Sequence, residues 1–252
     1  MQESDLENKN NSSNPANNSK HVKYRAEYIN FDFYPMAMPR NFADQIFEAC
    51  NALPWQRQNM RTTITFGNPG LTYTVQFGKN PPYSEAVRPW DELSFFKILK
   101  PYLEQVTQKQ YNFCAINRYP NGNAGIGLHR DKELATGTTI TGVSVGAERD
   151  FIVQLPKYIN SDPIRLKLFH GSMYSMNPPT NERCYHSVPI QPEISGIRYS
   201  LTFRDAEPDN FETVPVAPVI KCVALLKSGP RQGEACNAAV RGDGNLCGRH
   251  NK

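Results

Sequence analysis

The chain has 252 residues, 39% hydrophobic, 21% charged and 11% aromatic, enough apolar material for a sizeable core, which excludes a wholly disordered polymer. No run approaches the roughly 18 to 20 apolar residues of a membrane span, and the start MQESDLENKNNSSNPANNSK lacks the apolar stretch of a signal peptide, so an intracellular, nuclear or cytoplasmic monomer without membrane contact is expected. The formal net charge of +4 is unevenly placed, because Val219 to Lys252 carries Lys221, Lys227, Arg231, Arg241, Arg249 and Lys252 against only Glu234 and Asp243.

Residues 1–20 are rich in Asn, Ser and Lys and cannot offset their own ordering entropy, so they are expected to be disordered. A globular domain is expected over 21–206. In RNFADQIFEACNAL, Phe42, Ile46, Phe47 and Leu53 recur at helical intervals up to Pro54. A second helix is predicted across ELSFFKILKPYLEQVTQ, from Phe95, Ile98, Leu99, Leu103 and Val106, with Pro101 starting or kinking it. The rest reads as short β-branched or aromatic runs between Gly, Pro and Asn: TTITF, LTYTVQF, NFCAINRY, TTITGVSV, DFIVQL, IRLKLF, SMYSM and RYSLTF. The fold class is therefore mainly β with flanking helices, two packed sheets in a jelly roll or sandwich. The acidic, Pro-rich stretch 207–218 marks a linker to a small C-terminal module, 219–252.

His129 and Asp131 are two apart at a strand or strand end, so both side chains project to one side. His186, in the loop after SMYSMNPPTNERCY, supplies a third donor. Two His and one carboxylate form the facial triad of non-haem Fe(II) oxygenases. In RYSLTFR, Arg198 and Arg204 are six apart, an even offset that puts both guanidiniums on one face of a strand. Buried cations need anionic partners, and a dicarboxylate such as 2-oxoglutarate would pair with both. His170 is expected to be structural, and Cys114 and Cys184 to be small buried hydrophobes.

Taken together, INRYPNGNAGIGLHRDKE, VSVGAERDF, LKLFHGSMYSMNPPTNERCYHSVPI and RYSLTFR resemble the AlkB family of Fe(II)/2-oxoglutarate dioxygenases, most of all the animal homologue that demethylates duplex DNA, in order from Phe42 to Arg204. The resemblance implies a double-stranded β-helix core and oxidative demethylation of N-alkylated nucleobases in DNA or RNA with O2 as co-reactant, that is, alkylation-damage repair. It implies Fe(II) on His129, Asp131 and His186, and 2-oxoglutarate on Asn117, Tyr119, Arg198 and Arg204. Ser200 stands where the family usually has Asn, a shorter side chain that gives up one hydrogen bond, worth about 1 kcal/mol. On the substrate side the resemblance implies Tyr73 stacking on a flipped base, Glu133 at the base edge and Arg61 at the pocket rim. Two departures concern duplex binding. Val75 replaces a second aromatic, and the hairpin before Phe66 is short, with Met60 as the available apolar wedge. A nucleic-acid-binding module with an inactive core, and a hydroxylase acting on protein, are the contrasting readings.

In the tail, Cys222, Cys236, Cys247 and His250 supply the donor set of a closed tetrahedral zinc site. So small a segment, with few core residues, needs such a staple to fold. Its positive charge suits a phosphate grip, with protein docking as the alternative.

Overall fold

The computed structural model describes residues 21–56, 60–75, 83–131, 134, 137–156, 159 and 161–206. The expected disordered tail, the linker and the Cys/His module lie outside them. In chain order the strands are β1 (Val22–Ala26), β2 (Ile29–Tyr34), β3 (Thr62–Gly67), β4 (Thr72–Val75), β5 (Tyr83–Ala86), β6 (Arg88–Pro89), β7 (Phe113–Tyr119), β8 (Ile126–His129), β9 (Ile140–Gly146), β10 (Arg149–Gln154), β11 (Ile164–Leu168), β12 (Ser172–Asn177), β13 (Tyr185–Val188) and β14 (Arg198–Arg204). Helices α1 (Arg40–Asn51), α2 (Phe96–Thr107) and the short α3 (Thr180–Arg183) complete the elements used below. Among the described residues no helix is long and apolar enough to cross a membrane.

An eight-stranded sheet runs β1-β2-β12-β9-β14-β7-β3-β6 and a four-stranded sheet β11-β10-β13-β8. The pair β4–β5 forms a separate ribbon, and of its described residues Thr74, Val75, Tyr83, Ser84 and Glu85 fall in a second compact unit. The mainly β expectation with flanking helices holds. Where the prediction ended α1 at Pro54, the helix stops at Asn51, and Ala52 caps it by donating to the carbonyl of Glu48. Pro101 lies inside α2 and neither starts nor ends it. Its missing N–H removes one bond to the first turn, which buried Leu99 and Leu103 on either side offset. Strands β1, β2, β5, β6 and β13, and helix α3, were not anticipated, and β8 only through the strand or strand end expected at His129.

Alternation on β14 divides the molecule. Tyr199, Leu201 and Phe203 join the cluster formed with Ala43, Ile46 and Cys50 of α1 and Phe96, Leu99 and Leu103 of α2. Arg198, Ser200, Thr202 and Arg204 occupy the opposite face, toward the four-stranded sheet. The second cluster, with Phe31, Phe33, Phe151, Val153, Leu166, Tyr174 and Met176, fills the space between the sheets. Fully burying side chains of this size stabilises by about 1.5–3 kcal/mol each. At one level of the large sheet the cross-strand partners are all polar: Thr63 faces Asn117, Asn117 faces Ser200, Ser200 faces Ser144 and Ser144 faces Ser172. Of this row, Asn117 and Ser200 line the cavity of the site.

The ends of β8 and β13 are fixed by Arg149. It is fully buried and donates to the carbonyl oxygens of Asn121 at 3.1 Å, Ala124 at 2.9 Å and Pro189 at 2.6 Å, and to Gln191 Oε1 at 3.3 Å. The loops 120–125 and 189–194 thereby join. Gly122 N–H donates to the Ile194 carbonyl at 2.6 Å and Gln191 N–H to the Gly122 carbonyl at 2.8 Å. A Cβ on Gly122 would lie 1.7 Å from the Gln191 oxygen, so only glycine allows that approach.

Candidate metal centre and its cavity

His129 closes β8 and His186 lies on β13 as its direct cross-strand partner, with ring centroids 4.2 Å apart. His186 is thus on a strand, not in the predicted loop. Tyr185–Val188 is too short to show alternation clearly, and the neighbours that make it a strand, β10 and β8, are distant in sequence. His129 Nε2 is 3.5 Å and His186 Nε2 3.7 Å from Asp131 Oδ1, and the three ligand atoms lie within 4.8 Å of one another. Asp131 is held by α3, since its N–H donates to Asn181 Oδ1 at 3.1 Å and Asn181 Nδ2 returns a bond to its carbonyl at 2.9 Å. Sequence reasoning did not single out Asn181.

The protonation states suit a cation. Burial alone would raise the Asp131 carboxyl, but the Arg204 guanidinium and the two imidazoles hold it well below the ordinary carboxylate range. Burial drives His186 down to about 4, with Asp131 opposing and His129 and Arg204 reinforcing. An ionised carboxylate and a neutral imidazole are the forms that bind metal. His129 Nδ1 sits 2.8 Å from the Gly127 carbonyl, which leaves Nε2 as its ligand atom.

The triad opens on a cavity of about 280 Å³, whose lining includes Arg61, Tyr73, Asn117, Tyr119, Arg198, Ser200 and Arg204 beside the triad itself. Seven residues proposed from sequence for cosubstrate and substrate are therefore brought to one place. Arg198 donates from Nε to Ser144 Oγ at 2.9 Å and from Nη2 to Ser200 Oγ at 3.2 Å, while its buried Nη1 has no partner among the described residues. A desolvated guanidinium with a donor left over on the wall of a cavity is a seat for a carboxylate. Arg204 Nη2 lies 3.0 Å from Asp131 Oδ2, so the structure pairs it with a triad residue. Tyr73 stacks on Phe113 at 5.7 Å.

Glu133 and the tail residues Cys222, Cys236, Cys247 and His250 lie outside the described residues, as does the side chain of Val75. Met60 is exposed. His170 is structural as expected: its Nδ1 accepts from Gly146 N–H at 2.9 Å and its Nε2 lies 3.1 Å from Asp44 Oδ1. Cys114 and Cys184 are buried thiols. Tyr174 was overlooked. It lines the cavity above Gly142, where a Cβ would meet its ring at 2.2 Å, and the alternation of SMYSM was the available signal.

Residues 30–204 match the 2OG-Fe(II) oxygenase superfamily. The chain belongs to that superfamily. Membership implies Fe(II) and 2-oxoglutarate, and the neutral and ionised donors of the triad, together with the open donor of Arg198, fit both. The chain is 37% identical over 172 residues to the DNA oxidative demethylase ALKBH2 of Mus musculus, covering 65% of this chain and 66% of that one. Against its Homo sapiens counterpart it is 36% identical over 168 residues, covering 64% and 59%. The alpha-ketoglutarate-dependent dioxygenase alkB homolog 3 of Homo sapiens is 31% identical over 192 residues, covering 70% and 66%. The chain thus spans somewhat under two thirds of the length of the curated relatives it matches. A solved structure of OsALKBH1 superposes with a TM-score of 0.50 at 16% identity, covering 74% of this chain and 100% of that chain, a likeness of fold alone.

Proposed function

We propose that the protein is an oxidative demethylase of N-alkylated nucleobases, 1-methyladenine and 3-methylcytosine in DNA or RNA, acting in direct repair of alkylation damage. The observation that carries this is the single cavity that holds the His129–Asp131–His186 triad, the unpartnered Nη1 of Arg198 and the ring of Tyr73 on its walls. Bound Fe(II), with 2-oxoglutarate and O2, supplies oxidising chemistry that turns the cosubstrate into succinate and CO2 and releases the methyl group as formaldehyde.

Each side chain has a separate task. Arg204 keeps Asp131 ionised for the metal. Arg198, with Asn117 and Tyr119, binds and orients the cosubstrate, and Ser144 and Ser200 hold the Arg198 fork in place. Tyr73 gives a flipped base a surface to stack on, and Glu133 meets its edge. The ALKBH2 and alkB homolog 3 relatives support the nucleic-acid substrate. In the tail, Cys222, Cys236, Cys247 and His250 hold a structural zinc, and the positive charge around it grips phosphate; the donor set and spacing in the sequence support this.

The test is incubation with Fe(II), 2-oxoglutarate and oligonucleotides carrying either lesion, as single-stranded DNA, duplex DNA and RNA. Loss of the methyl group, abolished by His129→Ala or Asp131→Ala with oligonucleotide binding retained, is the expected result. Cosubstrate turnover without demethylation would shift the reading to a protein hydroxylase, and binding without turnover to a nucleic-acid module with an inactive core. For the tail, zinc content should be lost in Cys247→Ser, along with part of the salt dependence of binding to long nucleic acid. Salt slopes identical to those of the unaltered protein would leave protein docking as its role.

A further inference from the structure

We propose that Arg61, assigned from sequence to the substrate rim, is a positioning residue for the cosubstrate and acts through Asn117. The proposal rests on the reading of Asn117 as a cosubstrate-binding residue. Arg61 precedes β3, two residues before Thr63, and Thr63 is the cross-strand partner of Asn117 on β7. Arg61 Nη1 donates to Asn117 Oδ1 at 2.5 Å, and Thr63 Oγ1 donates to the same oxygen at 2.9 Å. Asn117 is buried and lines the cavity.

A carboxamide has one acceptor and one donor end, and the two are interchangeable by a flip of the side chain. With Oδ1 committed to both donors, the flipped state would set the NH2 group against the Arg61 guanidinium, which has no acceptor to offer, and Thr63 Oγ1 itself accepts from Arg61 Nη1 at 3.3 Å. What Asn117 can offer a cavity ligand is therefore restricted to its Nδ2–H donors. Donors are what a carboxylate needs, so the Arg61–Thr63 pair presets the amide for an anionic cosubstrate before it arrives and removes the orientational freedom that binding would otherwise have to quench. Arg61 stands just before β3, the strand next to β7, and reaches the cosubstrate through another residue's side chain.

The experiment measures the Kd of 2-oxoglutarate by calorimetric titration, with Mn(II) in place of Fe(II), for the full chain and for Arg61→Met, Arg61→Gln, Thr63→Val, Asn117→Leu and the Arg61→Met/Asn117→Leu double variant. The KM for a 1-methyladenine oligonucleotide is measured in parallel on the Fe(II) enzyme. Arg61→Met is expected to weaken 2-oxoglutarate about tenfold, the size of a lost charge-assisted hydrogen bond, and Thr63→Val to weaken it by a smaller factor in the same direction. Arg61→Gln keeps a donor without the charge and should recover most of the affinity. In the Asn117→Leu background the further Arg61→Met change should have no effect, which a general loss of folding would not produce. An unchanged Kd in Arg61→Met with a raised oligonucleotide KM would overturn the proposal, while a weakened Asn117→Leu alone would leave the role of Asn117 standing. An unchanged Kd in Asn117→Leu would overturn both.

Discussion

Two arginines at the heart of the protein differ in one respect that separates support from site. Arg149 and Arg198 are 0% and 1% exposed, and their guanidiniums lie 5.8 Å and 5.1 Å from the centroid of the same ring, that of Tyr119. Neither forms an ion pair among the described residues. Arg149 is surrounded by carbonyl oxygens of two loops and the amide of Gln191. Arg198 has two serine hydroxyls and a leftover donor on the cavity wall. Burial of a cation alone therefore says little about function; the inventory of its donors says which arginine awaits a partner.

The largest effect should come from removing the satisfied cation. Arg149→Met orphans the oxygens of two loops, and urea unfolding should report a loss on the order of 3–5 kcal/mol that 2-oxoglutarate does not restore. Arg198→Met deletes an incompletely paired charge instead. Its ligand-free stability should stay within about 1 kcal/mol of the parent or rise, while 2-oxoglutarate binding weakens by about a hundredfold or more. Equal stability losses in the two variants would erase the distinction.

Both arginines keep their charge at any ordinary pH, so a change in stability between pH 6.5 and 4 reports their neighbours. His186 has a folded value of about 4, below its ordinary 6.5. The unfolded chain therefore takes up that proton first: the stability of the metal-free protein is intact above 6.5 and is lost as pH falls toward 4, each pH unit being worth about 1.4 kcal/mol. Asp131, held low, extends the loss below that range. A melting temperature that is flat across this interval would remove the buried neutral imidazole from the account. Smallest of all, Ser200→Asn adds an amide beside Arg198 and should tighten 2-oxoglutarate several-fold, about 1 kcal/mol, in the same titration.

Much of this site was legible because its spacings were local. Asn117 and Tyr119, and Arg198 and Arg204, are pairs at even offsets on single strands, and period two alone brings each to one face; Asp131 follows two residues after His129, the last residue of β8. What escaped was contact between distant segments. Arg149 was not singled out because its oxygens come from loops on either side of it in sequence. The bond between Arg61 and Asn117 spans two strands. β2 escaped because INFDFY carries Asn and Asp, poor strand formers; Asp32 is tolerated there through bonds from Arg25, Asn177 and His21.

The pairing of His129 with His186 has a consequence for how the molecule loosens. β8 is the edge of the four-stranded sheet, bonded to β13 on one side only, and edge strands open at a fraction of the free energy of global unfolding. An ion shared by the two histidines would staple that edge to its neighbour. Amide hydrogen exchange over Ile126–His129 should then accelerate when the metal is stripped, while the amides of β14, hydrogen-bonded on both sides at the centre of the large sheet, keep their protection.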